Sequence, residues 1–139
     1  MRILGIDYGE ARTGIAITDA LNITAQGLET IHNNGSDKVI LKRLDEIFEK
    51  YNVDVIVVGK PINMNGTSSE RTEITEKFIH KLKCKYNKLK IETIDERLTT
   101  VAAHKTMNFL DVNKNKKRNI VDTISAVYIL ETYLNKIKN

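Results

Sequence analysis

The chain contains few of the residues that cross-link or interrupt a fold. Its 139 residues include one cysteine, one proline and no tryptophan. A single cysteine, Cys84, has no second thiol with which to form an internal disulfide, which is typical of proteins from the reducing cytoplasm. One proline and seven glycines leave no stretch with the composition of a flexible linker. We therefore expect a single domain over residues 1–139, located in the cytoplasm.

Long apolar runs are also missing. No segment approaches the roughly 20 apolar residues that a bilayer-spanning helix needs. A strand pattern begins at Arg2, where a signal peptide would have its charged and apolar regions, so we expect neither a signal peptide nor a membrane partner. The net charge of +4 permits binding to a polyanion without requiring it. A basic run that includes Lys117 precedes an acidic candidate residue, which favours a phosphate contact there.

Residues 2–19 have the pattern of two apolar strands joined by a short polar turn. The first strand, residues 3–6, is apolar on both faces and is therefore predicted to be central in a sheet. It leads directly into Asp7, and an ionised carboxylate at the end of a buried strand is costly unless it is paired. The pattern leaves its partner open: Arg12 across the hairpin, a set of backbone N–H groups, or a bound cation.

The rest of the chain alternates strand patterns with amphipathic helix patterns. We expect a strand over residues 23–31, a helix from a cap at Ser36 to about Tyr51, a strand over residues 53–58, a helix opened by a capping box of Thr67 and Glu70, a strand over residues 90–96, a helix over residues 99–109, a basic loop over residues 111–117, and a final helix from Asn119. Strands separated by helices in this order predict parallel crossovers, and hence an α/β fold.

Three carboxylates interrupt or end apolar elements: Asp7, Glu96 and Asp122. If the strands that carry Asp7 and Glu96 end on one side, the last helix can bring Asp122 beside them. Close carboxylates repel one another, and a divalent cation relieves that repulsion. Oxygen ligands favour Mg²⁺ or Mn²⁺, and two such ions about 3.5–4 Å apart stabilise both the attacking and the leaving oxygen of a phosphodiester. Asp122 has an alternative interpretation as a carboxylate that stabilises a helix start.

The loop over residues 59–67 follows a strand predicted to be central, at the end where α/β sheets bind ligands. Glycine, asparagine and a following helix N-terminus can hold a phosphate through backbone N–H groups. A tight turn followed by a helix cap explains the same residues, and both interpretations remain open.

Four ordered blocks of sequence resemble the YqgF-type pre-16S ribosomal RNA nucleases, a family also labelled Holliday junction resolvases. The blocks are residues 5–9 with Arg12, Gly14 and Asp19; residues 57–59 with Pro61, Asn63 and Gly66; residues 95–100; and Lys117 with Asp122, Ala126, Ile129 and Leu130. The resemblance covers nearly the whole chain. It implies a ribonuclease H-like fold, with a mixed five-stranded sheet and helices on both faces.

The resemblance also implies roles for individual residues. Asp7, Glu96 and Asp122 match the acidic positions that bind metal and carry out catalysis. The positions expected to bind substrate phosphates are Arg12, Lys60, Asn63, Arg97 and Lys117. Lys60 departs from the pattern, because it stands where the family usually has leucine. It contacts a phosphate only if its side chain faces the substrate groove.

By the same resemblance, the expected function is metal-dependent processing of the 5′ end of pre-16S rRNA. Ribosomal particles are possible partners, and the chain would act as a monomer or a homodimer. One alternative is resolution of four-way DNA junctions, which requires a dimer. A second is a non-catalytic RNA-binding or transcription-associated module, although such a module gains nothing from three carboxylates in its groove. The opening residues also resemble actin-like and sugar-kinase ATPases, which need a second domain for which this chain is too short.

Overall fold

The computed structural model describes residues 2–62, 66, 68–95 and 114–138, and the side chains of residues 114–122 lie outside this description. The elements in chain order are β1 (Arg2–Asp7), β2 (Arg12–Thr18), β3 (Ala25–His32), α1 (Asp37–Lys50), β4 (Val53–Lys60), α2 (Glu70–Lys85), β5 (Lys90–Asp95) and α3 (Lys114–Lys138). Among these residues, no helix combines the length and apolar character needed to cross a bilayer.

The strands form one five-stranded sheet in the order β3-β2-β1-β4-β5. The pairs β1–β2 and β2–β3 are antiparallel, whereas β1–β4 and β4–β5 are parallel. This mixed sheet confirms the predicted α/β fold and the central place of β1. Because β1, β4 and β5 run in the same direction, they end on the same side of the molecule. We call this side the carboxyl end of the sheet.

Successive side chains of each strand point to opposite faces of the sheet, and an apolar core lies on each face. On one face, residues such as Leu4, Ile6 and Val58 pack with buried residues of α1 and α2. On the other face, residues such as Ile3 and Val57 pack with buried residues of α3. The sheet is therefore covered on both sides, and the parity of a residue in its strand decides which helices it faces.

Helix α3 lies close to the sheet because two strand positions beneath it have no side chain. A Cβ atom on Gly5 would stand 2.6 Å from Leu130 Cγ and 3.0 Å from the Ala126 carbonyl oxygen. A Cβ atom on Gly27 would overlap Cγ2 of Thr123. A hydrogen bond of 3.1 Å between the hydroxyls of Thr123 and Thr30 joins α3 to β3. The two glycines therefore fix the distance between α3 and the sheet.

Strand β4 extends to Lys60, beyond the expected end at residue 58. The reason is that β5 continues the parallel ladder, pairing Ile94 with Gly59 and Asp95 with Lys60. Gly59 and Lys60 therefore belong to β4 and not to the predicted loop over residues 59–67.

The predicted helix starts need three corrections. Ser69 caps α2, its hydroxyl accepting a hydrogen bond of 3.2 Å from the Thr72 amide, so the predicted box of Thr67 and Glu70 is not the one that forms. Ser36 stands at the N-cap of α1 but makes no capping hydrogen bond through its side chain. The final helix begins at Lys114 and not at Asn119, because no glycine or proline interrupts the run of helix-forming residues. The expected helix over residues 99–109 lies outside the described residues.

Gly27→Ala should lower the free energy of unfolding by about 1–3 kcal/mol, because the new methyl group meets Thr123 Cγ2 in a packed interface. Thr123→Ser removes that methyl group and keeps the hydroxyl that bonds Thr30. The double variant should therefore recover most of the loss, a non-additive result measurable by chemical denaturation. Simple addition of the two single effects would contradict the proposed close contact.

Candidate active site at the carboxyl end of the sheet

Asp7 is the last residue of β1 and is partly buried. Gly14 of β2 lies opposite it on one side. On the other side Ile6 pairs with Val58, so Gly59 is the next residue along β4. By alternation, Asp7 lies on the face of Ile3 and Gly5, which α3 covers. Glycine therefore stands beside Asp7 on both neighbouring strands.

Arg12 begins β2 and lies directly opposite His32 of β3. It alternates with Thr13 and shares its face with Gly14 and Ala16, and Ala16 packs in the core under α3. Asp7 and Arg12 therefore emerge on the same face at the carboxyl end of the sheet. His32 also lies on this face and is exposed.

Tyr8 anchors the end of β1 from the opposite face. Its ring stacks on Phe78 of α2, with centroids 4.2 Å apart and planes 10° from parallel. Its hydroxyl donates a hydrogen bond of 2.6 Å to Asp37 Oδ1, and Asp37 Oδ2 accepts one of 2.8 Å from Lys81 Nζ. Burial, followed by the hydrogen bond to Asp37, raises the pKa of the Tyr8 hydroxyl above its ordinary value. The hydroxyl therefore stays protonated and able to donate.

The backbone of α3 places Asp122 next to Thr123, which contacts β3. Its neighbour Thr123 is hydrogen-bonded to Thr30, which pairs with Gly14, the partner of Asp7. Farther along α3, Leu130 lies over Gly5, one position from the Asp7 row on that face. Thr123 lies against Gly27, which shares a cross-strand row with Ala16 and Gly5, so moving back along α3 from Leu130 to Thr123 leads across the sheet from β1 to β3.

The structure describes the remaining predicted site residues only in part. Glu96, Asn63 and Arg97 lie outside the described residues, and Asp122 and Lys117 are placed in α3 by their backbone alone. Within the described part of the chain, no three His, Cys, Asp or Glu side chains form a group that could hold a metal ion.

The part of the site that is described suits an oxygen-ligated cation. Asp7 supplies a carboxylate oxygen, the kind of ligand that Mg²⁺ and Mn²⁺ prefer. Three residues after Asp122, Ser125 Oγ is fully buried and has no hydrogen-bond partner among the described residues. An unsatisfied hydroxyl is costly in an apolar core, so this region of the α3 interface favours a polar occupant.

Lys60 lies on the other face of the sheet. It shares the parity of Ile56 and Val58, which pack toward α1 and α2. Its Nζ atom is 2.8 Å from Oε1 of Glu76 on α2. A contact between Lys60 and a phosphate near Asp7 would therefore require this ion pair to open.

Comparison with solved structures identifies the fold. The fold is similar to that of a Thermus thermophilus RuvC in complex with Holliday junction substrate, with a TM-score of 0.61, 11% identity, and coverage of 100% of this chain and 97% of that one. It is also similar to the fowlpox virus Holliday junction resolvase, with a TM-score of 0.59, 16% identity, and coverage of 99% of both chains. The fold is thus ribonuclease H-like, as predicted.

Sequence comparison identifies the family. A family model described as "RuvX: Holliday junction resolvase" matches residues 1–136, and this chain belongs to that family. A protein of Ruminiclostridium cellulolyticum is 55% identical over 137 residues, which are 99% of this chain and 96% of the relative. One of Acetivibrio thermocellus is 50% identical over 134 residues, which are 96% and 95% of the two chains. Both relatives are named "Putative pre-16S rRNA nuclease".

Tyr8→Phe should keep the stacking on Phe78 and lose the hydrogen bond to Asp37, lowering the free energy of unfolding at pH 7 by about 0.5–1.5 kcal/mol. The pKa of Tyr8 is higher in the folded state than the unfolded value of about 10. Its contribution to stability is therefore complete below pH ~10 and is lost as the pH rises from there through the folded pKa.

The difference in Tm between wild type and Tyr8→Phe should accordingly be constant up to about pH 9.5 and shrink above pH ~10. Thermal unfolding followed by circular dichroism across this range measures it. Tyr86, whose pKa is also raised by burial, contributes equally to both proteins and cancels in the difference. A difference that stays constant to pH ~11 would show that the Tyr8 hydroxyl is not the titrating donor.

Proposed function

We propose that this chain is a metal-dependent nuclease that processes the 5′ end of pre-16S rRNA. The observation that carries the proposal is that Asp7 and Arg12 lie on one face at the carboxyl end of the sheet. A carboxylate for a cation beside a guanidinium for a phosphate is the arrangement that phosphodiester hydrolysis requires. The high identity to named pre-16S rRNA nucleases supports the choice of substrate.

Asp7, Glu96 and Asp122 are the residues that would hold Mg²⁺ or Mn²⁺. When bound, a divalent ion supplies positive charge that stabilises the attacking and leaving oxygens of the phosphodiester. Ile94, two residues before Glu96, packs in the core under α3, which is the face on which Asp7 lies. Strand alternation continued by two residues would bring Glu96 to that face, which supports its place in the set.

Arg12 binds and orients the substrate. Its guanidinium can donate two parallel hydrogen bonds to one phosphate, which fixes the phosphodiester relative to Asp7. Arg97 and Asn63 are proposed as further phosphate contacts on the basis of the family pattern. Lys117 lies near the start of α3, whose first turn has no acidic residue to neutralise the positive end of the helix dipole. An RNA backbone is therefore favoured at this helix end.

Resolution of DNA junctions is the second candidate function. It is supported by the description of the family model and by the two resolvases of similar fold. Because a four-way junction is cut at two symmetric points, this function requires a homodimer, whereas rRNA processing is open to a monomer. Action on ribosomal particles is part of the first proposal, since the precursor is assembled with proteins as it matures.

The test compares Asp7→Asn with wild type on end-labelled pre-16S RNA and on a labelled four-way DNA junction, with Mg²⁺, with Mn²⁺ and with EDTA. We expect EDTA to abolish RNA cleavage and Asp7→Asn to slow it by at least about a hundredfold, because a metal ligand is lost. RNA affinity should be equal or tighter, because a negative charge leaves the groove.

Asp54→Asn is the matched control, since it removes a carboxylate from the opposite end of β4. It should cleave at the wild-type rate. Unchanged cleavage by Asp7→Asn would refute the metal site, and symmetric cutting of the junction alone would transfer the function to resolution.

Lys60→Leu should leave the Kd for RNA within about twofold of wild type, because the ammonium group pairs with Glu76 on the face opposite Asp7. Arg12→Leu should weaken binding and reduce the slope of log K against log salt by about one unit, as expected for one lost phosphate contact. Filter binding at several salt concentrations measures both. An equal loss of slope in Lys60→Leu would assign Lys60 to the phosphate-binding surface, as the sequence pattern suggested.

A further inference from the structure

Residues 8–11 form the short loop that joins Asp7 to Arg12, and the side chain of Asn33 is bound to it. Asn33 Nδ2 donates hydrogen bonds of 3.0 Å to the Gly9 carbonyl oxygen and 2.8 Å to the Glu10 carbonyl oxygen. Asn33 Oδ1 accepts one of 3.1 Å from the hydroxyl of Thr13. Asn33 is only 2% exposed, so these bonds form away from competing water.

The backbone around Asn33 holds the same loop. The amides of Asn33 and Asn34 both donate to the Ala11 carbonyl oxygen at 3.1 Å, and the Gly35 amide donates to the Glu10 carbonyl oxygen at 2.6 Å. Asn34 and Gly35 have positive φ angles of 46° and 83°, in the left-handed region that favours asparagine and glycine. Three successive loop carbonyls, those of residues 9–11, are thereby held by donors from residues 33–35.

The loop has little freedom to adjust by itself. A Cβ atom on Gly9 would overlap the Arg12 carbonyl oxygen, so the chain turns back on itself tightly at this point. A shift of the held carbonyls would therefore be passed to the two ends of the loop, where Asp7 and Arg12 lie. Small displacements of such groups have large effects on rate, because catalysis depends on the relative positions of reacting groups.

We propose that Asn33 is a positioning residue, which acts through the loop over residues 8–11 to hold Asp7 and Arg12 in their relative positions. This inference rests on the proposed nuclease function. Asn33 itself does not touch the substrate, because its side-chain atoms are engaged by the loop and by Thr13. To hold the loop in this way, residue 33 must supply two N–H donors from one buried side chain.

The test uses Asn33→Asp and Asn33→Ala. Aspartate has the shape of asparagine but presents an oxygen where the loop carbonyls need donors. A role in packing alone predicts that Asn33→Asp is tolerated, whereas a role in donation predicts that it is at least as damaging as Asn33→Ala. Thr13→Val is a milder variant, because it keeps both Asn33 donors and removes a hydroxyl that bonds Asn33 Oδ1 and also accepts a hydrogen bond of 3.4 Å from the Gly9 amide. Leu44→Ala is the matched control, a fully buried core residue of α1 that does not contact the loop.

Two readouts are made at a temperature at which every variant is folded. Hydrogen exchange of the Asn34 and Gly35 amides, followed by NMR, reports whether the loop carbonyls are still held. In Asn33→Asp these amides should exchange at least about tenfold faster than in Leu44→Ala. On pre-16S RNA, kcat of Asn33→Asp should fall at least about tenfold, with a smaller fall in Thr13→Val, while Leu44→Ala stays within about twofold of wild type.

The outcomes separate this inference from the function on which it rests. A wild-type protein that cleaves neither RNA nor the junction overturns the proposed function, and the exchange readout still decides whether Asn33 holds the loop. Unchanged exchange in Asn33→Asp overturns the inference. So does faster exchange with an unchanged kcat, or an equal loss of kcat in Leu44→Ala, since the effect would then be general and not positional. If Asn33→Asp does not fold, Asn33→Ala, which also lacks both donors, decides by the same two readouts.

Discussion

The close approach of α3 to the sheet is the constraint on which the candidate site depends. Gly5 and Gly27 leave no side chain between helix and strands, so α3 rests on the backbone of β1 and β3. That contact fixes where Thr123 lies, and with it the segment of α3 that carries Asp122. Apolar residues of α3 and of the strands fill the rest of that face. The helix therefore has no other position in which it would pack equally well. The metal-binding proposal therefore depends on a steric feature several residues away from the carboxylates.

The two faces of the sheet have separate tasks at the carboxyl end. The face under α3 carries Asp7 and Arg12, the residues proposed to bind the cation and the phosphate. The other face carries Tyr8, whose ring and hydroxyl are both engaged by neighbouring residues. Asn33 supports the loop that joins Asp7 to Arg12, and both N–H groups of its side chain are used in hydrogen bonds to that loop. Contacts on the other face and within the loop thus support the two residues of the proposed site.

Much of the fold could be predicted because strand and helix periodicities are clear. The apolar run before Asp7 indicated a central strand, and the alternation of strands and helices indicated parallel crossovers, both of which the sheet confirms. The face on which Lys60 lies could not be predicted, because it depends on how far β5 extends the ladder of β4. The role of Asn33 was also hidden, since its partners are backbone carbonyls of residues more than 20 positions earlier in the chain. Glu96 and Asp122 remain predictions.

The stacking of Tyr8 on Phe78 also gives the molecule an optical property. The chain has five tyrosines and no tryptophan, so its near-ultraviolet spectrum is dominated by phenol rings. One of these rings is held rigidly in an asymmetric, buried environment and is separated by a single peptide bond from the carboxylate proposed to bind metal. The protein therefore carries a native chromophore in the residue that directly follows Asp7, at the carboxyl end of the sheet.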